Sequence, residues 1–448
     1  MAEGNGAPKG IGIGRSLIYA CGEFGNNLVN LVFAGWILYF YTNDTGRDKP
    51  LISMYAMTAI LIGGRIIDGL ADPLVGYWSD NTKTRIGRRR PFIFIGTPLM
   101  VLAFVTLFRP VFPAGSTALV VFTGVLMCTF WFFYSTVAGP YLSLLPEIAE
   151  TSRQRVALAT FMAVAMLLAT GYQMIAASNM VDATKWNLGY FNMALITGGI
   201  SFVFMYIVAI GIREKNTGPP AQTGDKSEKY SMTDAFRWTF KNPAFVSYII
   251  SSFCFKLGFA SLMASLPYIV TRLMGKTESF VGTVAMITIP GFIVSFLIFN
   301  YLTRIYGKVV LYKICLALFA IILPFLFVIG RIDVGVDPGI LGMIMMGVLS
   351  FPIAGDMILP KAILADIADY DEKQTGFRRE AMYFGMQGLL QKIATSFSKG
   401  LSGLLFGYFG YSMSNHLGIN LLGPVAGACG LIGFLIFLTY PIDDRPKK

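Results

Sequence analysis

The chain has 448 residues, 55% of them hydrophobic and only 14% charged, with a net charge of +11. Soluble domains carry about 25% charged residues. This composition, with apolar runs of twenty or more residues recurring from end to end, predicts an all-α integral membrane protein whose helices cross a hydrocarbon core of about 30 Å. One His, His416, excludes a His-built metal cluster and a Ser-His-Asp triad, and five Cys without a CxxC pair exclude a disulfide framework.

Twelve transmembrane spans can be drawn in chain order: residues 16–41, 51–77, 91–110, 117–143, 156–178, 188–212, 243–272, 279–302, 308–330, 338–361, 380–408 and 417–440. The longest polar stretch between them divides the spans six and six. It gives an N-terminal six-helix bundle over 1–212, a linker over 213–242 with an interfacial helix from Ser231, and a C-terminal six-helix bundle over 243–448. The first fifteen residues are polar and Gly-rich, so no signal peptide is expected.

Lys and Arg are concentrated in alternate loops, as in Lys83, Arg85, Arg88, Arg89 and Arg90 after span 2 or Lys373, Arg378 and Arg379 after span 10. That asymmetry places both termini in the cytoplasm, and it accounts for the basic balance without nucleic acid. A weak internal echo agrees with the six-and-six layout. Arg85-Ile86-Gly87-Arg88 follows span 2 and Arg304-Ile305-Tyr306-Gly307-Lys308 follows span 8.

Charges inside spans are the strongest functional signal, because one at mid-bilayer costs from about 2.5 to over 10 kcal/mol and normally faces a cavity or a partner. Span 2 contains "GGRIIDGLADPLVGYW", in which Arg65, Asp68 and Asp72 are spaced i, i+3, i+7 and share one helix face. Two carboxylates one turn apart form a hard-oxygen pocket suited to Na⁺ or Li⁺, or alternatively hold a proton. The plainer alternative is a static Arg65–Asp68 ion pair with one snorkelling acid.

Other intramembrane charges are Glu23, Lys256, Asp356, Lys392 and Lys399. Lys392 is a candidate to neutralise the acid pair when the ion leaves, and Lys399 reads as a snorkelling side chain. Span 1 offers Glu23, Asn26 and Asn27; span 4 offers Tyr134, Ser135 and Tyr141. Such polar and aromatic groups suit a polyhydroxylated solute or a zwitterionic head group, and equally serve as hydrogen bonds between helices.

The loop after span 2 carries Gly76-x-x-x-Asp80 and then Arg85-x-Gly87-Arg88-Arg89, which resembles the cytoplasmic gate signature of the major facilitator superfamily. The fuller stretch "RIIDGLADPLVGYWSDNTKTRIGRRRPFI" looks like span 2 and its loop in the glycoside–pentoside–hexuronide:cation symporters, the melibiose permease family. "PYLSLLPEI" (140–148) and "LPKAILADIADYDEKQTGFRREAMYFGMQGLLQK" (359–392) resemble the end of that family's span 4 and its span 10–11 region.

The resemblance implies a major facilitator fold, twelve transmembrane helices in two six-helix bundles, and cation-driven symport by alternating access in the inner membrane. It puts Asp68 and Asp72 on the coupling carboxylates, with Na⁺ the expected ion and H⁺ or Li⁺ the alternatives. Lys392 falls on the family's span 11 lysine. The acids that grip sugar in the melibiose carriers fall here on Asn27 and Ala138. The expected solute is a sugar or glycoside. The alternative is a lysophospholipid or other amphiphile, as in a related sodium-coupled branch. Neither an enzyme nor a bound cofactor is expected. The expected partners are a small-molecule solute, a monovalent cation and membrane lipids, with the chain a monomer.

Overall fold

The computed structural model describes residues 12–43, 49–149, 152–212, 239–333, 335–375 and 380–442. Residues 213–238 of the expected linker, including its helix from Ser231, lie outside them.

Among the described residues the chain is all helix, in twelve long elements. The first six are α1 (Ile13–Thr42), α2 (Met54–Asn81), α3 (Arg90–Leu107), α4 (Thr117–Ser143), α5 (Ser152–Gly171, continuing through a π turn Tyr172–Ala177 and a last turn Ser178–Val181) and α6 (Gly189–Gly211). The second six are α7 (Pro243–Tyr268, with a π turn Ile269–Leu273), α8 (Phe280–Tyr306), α9 (Lys308–Ile322, with a 3₁₀ turn Leu323–Phe327), α10 (Pro338–Thr375), α11 (Glu380–Phe409) and α12 (Leu417–Phe437). A single turn, Leu145–Ile148, follows α4.

Ten of these helices are long and apolar enough to cross a membrane, and their exposed side chains include Leu70, Leu102, Val125, Leu168 and Leu297, as lipid contact requires. The other two long helices, α1 and α11, are diluted by polar residues such as Asn26, Asn27, Asn30, Gln387, Gln391 and Lys392. Local chemistry sets several helix starts. Asn242 caps α7 by accepting from Ala244 N and Phe245 N ahead of Pro243, and Ser116 caps α4 by accepting from Leu119 N.

One boundary moves substantially. The sequence predicts that span 10 ends at 361, but α10 runs unbroken to Thr375. At about 1.5 Å per residue its 38 residues reach roughly 57 Å, well beyond the hydrocarbon core. The stretch after Lys361 interleaves its acids with the good helix formers Ala362, Leu364, Ala365 and Ala368, and Asp366 accepts an ion pair from Lys308 at 2.6 Å.

Packing divides the chain into two compact units, residues 1–37 with 63–224, and residues 38–62 with 225–448. In the first, α3 packs against α4 and α6. In the second, α7 packs against α11 and α12, and α10 against α8 and α9. Residues 38–62 belong to this second unit. The Tyr39 ring meets Tyr268 edge-on at 4.8 Å, Arg272 donates to Asn43 Oδ1 at 2.5 Å, and Tyr39 Oη donates to Glu278 at 3.1 Å.

The echoed motifs share backbone geometry as well as residue type. Gly87, after α2, has φ 117°, and Gly307, between α8 and α9, has φ 80°. Both lie in the left-handed region where a Cβ is strained, so each basic loop turns on its glycine.

Candidate functional site

The first unit gathers the polar residues of α1, α2 and α4. Where α2 passes Gly64 it comes directly against Met127 and Trp131 of α4. That approach sets Asp68, one turn further along, beside Ser135. Asp68 is 1% exposed, and both its carboxylate oxygens are engaged. Ser135 Oγ donates to Oδ1 at 2.8 Å, and Arg65 Nη1 donates to Oδ2 at 3.3 Å. Arg65 in turn lies over the face of Trp131, 3.7 Å from the ring centroid. A cation so placed is held by charge on one side and by the ring quadrupole on the other.

Asp72, one turn beyond Asp68 on α2, is half-buried. Carboxylates and hydroxyls are hard oxygen donors, the chemistry an alkali cation selects, and Ser135 brings such a hydroxyl to Asp68. The plainer alternative, an Arg65–Asp68 ion pair, is present in the structure. Arg65 balances the Asp68 charge in this arrangement.

Around this core, Asn26 Nδ2 donates to Tyr134 Oη at 3.1 Å, tying α1 to α4. Asn26 Oδ1 is buried without a hydrogen bond among the described residues. Tyr134 lies within electrostatic reach of Asp68, Arg65 and Glu23, so the three helices share one charged neighbourhood. Asn27 bonds its own turn, donating to the Glu23 side chain at 2.8 Å and to the Glu23 carbonyl at 2.9 Å. Tyr141 sits apart from this cluster in its bonding. Its hydroxyl donates to the Tyr19 carbonyl, Tyr19 donates to the Tyr141 carbonyl, and the rings stack at 4.6 Å. Tyr141 is fully buried and its hydroxyl is spent on fastening α1 to α4.

The basic loop caps helix ends. Arg89 donates to the Ser143 carbonyl at the end of α4, and Arg90 donates to the Ala209 carbonyl near the end of α6 at 2.7 Å. Cations are favoured at helix C-termini, where carbonyls lack partners. Arg85 is exposed, Arg88 and Gly76 are half-buried, and the Asp80 side chain lies outside the described residues. In the second unit, Lys392 is half-buried on α11. Lys399, expected to snorkel, is instead buried at 5% exposure, because its face of α11 packs inward.

Two further residues are not singled out as site residues by the sequence. Trp131 is one aromatic among many in a chain with 14% aromatic residues. Arg90 adjoins the gate signature without being part of it. Only the α2–α4 and α3–α6 packing reveals what each does.

The fold and the site together define a multi-pass membrane protein with a charged, hydrogen-bonded interior. The family model described as MFS/sugar transport protein matches residues 18–444, and the chain belongs to that family. It is 24% identical over 410 residues to the raffinose carrier protein of Pediococcus pentosaceus, covering 87% of this chain and 62% of the relative. It is also 24% identical over 458 residues to the sodium-dependent lysophosphatidylcholine symporter 1 of Gallus gallus, covering 92% and 84%. The chain spans about three fifths of the length of the first curated relatives it matches. Among solved structures, a mutant of the nucleoside transporter NupG superposes with a TM-score of 0.70 at 11% identity, covering 95% of this chain and 99% of that one. These relatives and neighbours are transporters and not enzymes.

Proposed function

We propose that this protein is a secondary transporter that couples the movement of a monovalent cation, Na⁺ foremost, to symport of a sugar or glycoside. The observation that carries the reading is the buried Asp68, held by Ser135 and Arg65 one turn from Asp72 inside a membrane helix. The cost of burying such a charge supports a functional role for it. The family's sugar carriers support the choice of solute.

In this mechanism the cation binds at Asp68 and Asp72, with H⁺ or Li⁺ as alternative ions. Arg65 balances Asp68, and Lys392 compensates the acids once the ion has left. Glu23, Asn26, Asn27, Tyr134 and Ser135 contribute to the solute side, and Tyr141 supports them through its grip on Tyr19. The bundles 1–212 and 243–448, joined by the linker 213–242, alternate access as the ion and solute bind. The loop from Gly76 to Arg89 gates the cytoplasmic side. The chain works as a monomer in the inner membrane with both termini in the cytoplasm.

A lysophospholipid is the second reading, favoured by the similarity to the sodium-dependent symporter of Gallus gallus. Thermal unfolding of purified protein against glycosides and lysophospholipids, with and without Na⁺, tests both. A ligand that binds the folded state raises the melting temperature, and reciprocal linkage enlarges the shift with the coupling ion. The proposal expects a Na⁺-enhanced shift with a glycoside. A shift confined to lysophospholipids supports the second reading, and indifference to Na⁺ with a response to low pH moves the coupling to protons.

A further inference from the structure

The second unit contains an ion pair that the cation site does not use. Lys256 lies 13 residues after Pro243 on α7, about 20 Å along the helix at its ordinary rise. Its Nζ donates to Asp356 Oδ2 of α10 at 3.1 Å. The Asp356 side chain is 3% exposed and that of Lys256 is 22% exposed, so the ammonium is the open member of the pair. Asp356 Oδ1 is buried with no hydrogen bond among the described residues. Around it stand Tyr248 of α7 and Tyr312 and Cys315 of α9, all within its electrostatic reach.

Such a pair is a poor device for stability alone. Apolar residues of similar volume commonly replace a buried ion pair without loss, and an acceptor left without a donor adds a cost. What the pair offers is a set of unused hydrogen-bonding groups with no net charge. Lys256 has further N–H donors, and Asp356 has an acceptor oxygen. Phe259 follows Lys256 by three residues on α7, half-buried, with the ammonium 5.8 Å from its ring centroid. A donor and an acceptor beside an aromatic ring match a vicinal diol on a sugar ring, whose C–H face packs on aromatics. An anionic head group would be drawn to Lys256 but opposed by Asp356.

We infer that Lys256 and Asp356 form, within the second unit, a hydroxyl-recognition site for a neutral, polyhydroxylated solute. The inference rests on the sugar or glycoside reading above and adds the residues that would enforce it.

The test measures binding of methyl and nitrophenyl glycosides and their monodeoxy analogues to full-length wild type and to the double variant Lys256→Met/Asp356→Leu, which removes both charges together. The double variant is expected to keep its fold and its Na⁺ response. Its affinity for the parent glycoside should fall at least tenfold, and it should lose discrimination against one deoxy analogue that the wild type rejects. Lys256→Arg, which keeps the ion pair, should fold as wild type and alter the same hydroxyl preference. That variant carries the test if the double variant does not fold. Wild-type glycoside affinity with unchanged deoxy discrimination in the folded variants would overturn the site while leaving sugar transport standing. A wild type that binds none of the glycosides would overturn both.

Discussion

Ser135 Oγ donates a hydrogen bond to Asp68 Oδ1 at 2.8 Å, joining α4 to the acid-bearing face of α2. Asp68 is buried, so this bond and the Arg65 contact at 3.3 Å support it against desolvation. A hydrogen bond to a charged group contributes about 1.5–3 kcal/mol. Ser135→Ala should therefore lower the apparent melting temperature and raise the Na⁺ concentration for half-maximal uptake by about tenfold or more. Ser135→Thr, which keeps the hydroxyl, should recover most of the loss. Na⁺ titrations of uptake in the two variants check this, and an unchanged Na⁺ dependence in the alanine variant would count against it.

Trp131 holds Arg65 from the opposite side, 3.7 Å from the guanidinium to the ring centroid. A desolvated cation–π contact is worth about 2 kcal/mol, and truncating a buried Trp costs about 3–5 kcal/mol. Thermal unfolding should rank wild type above Trp131→Phe and Trp131→Phe above Trp131→Ala. Arg65→Lys should also be impaired, because an ammonium lacks the planar face that stacks on the ring. Equal stability of the Phe and Ala variants would show that the aromatic face does not matter.

What the sequence made legible here follows periodicity and cost. The spacing of Arg65, Asp68 and Asp72 placed them on one face of α2, and the Arg65–Asp68 contact is the i, i+3 pair that spacing allows. All twelve long helices among the described residues were legible as spans, ten of them because lipid demands apolar length. The Ser135–Asp68 bond was not legible, since nothing in the two segments encodes which turn of α4 meets which turn of α2. The packing of Met127 and Trp131 at Gly64 decides it. The helical run from Lys361 to Thr375 was hidden for a different reason: its charges resemble a loop, whereas Lys308 pairs with Asp366 and helix propensity carries the rest. Tyr141 read equally as a solute-facing group or as a hydrogen bond between helices, because a tyrosine hydroxyl inside the membrane needs a partner of some kind. Here that partner is the Tyr19 carbonyl.

Outside the membrane, Asp337 caps α10 by accepting from Gly339 N at 2.8 Å and pairs with Lys276 at 2.9 Å. Its hydrogen bond from Lys276, followed by the cap, holds the carboxyl below its ordinary value of 3.8. A carboxylate whose folded-state value is depressed stabilises the fold above the ordinary value and loses that contribution as pH falls through the depressed one. Asp337→Asn keeps the cap and removes the ion pair. Wild type should therefore melt slightly above this variant at neutral pH, with the gap closing as pH drops below 3.8. Melting curves across pH 3 to 7 check the sign, and a gap that widens toward acid would contradict it.

The most direct test of cation-coupled symport is glycoside accumulation in proteoliposomes under an inward Na⁺ gradient, for wild type and for Asp72→Asn. Wild type should concentrate the solute above equilibrium only while the gradient lasts. Asp72→Asn should remain folded yet show no Na⁺-driven accumulation. Accumulation by Asp72→Asn equal to that of wild type would contradict the assignment of the coupling ion to Asp68 and Asp72.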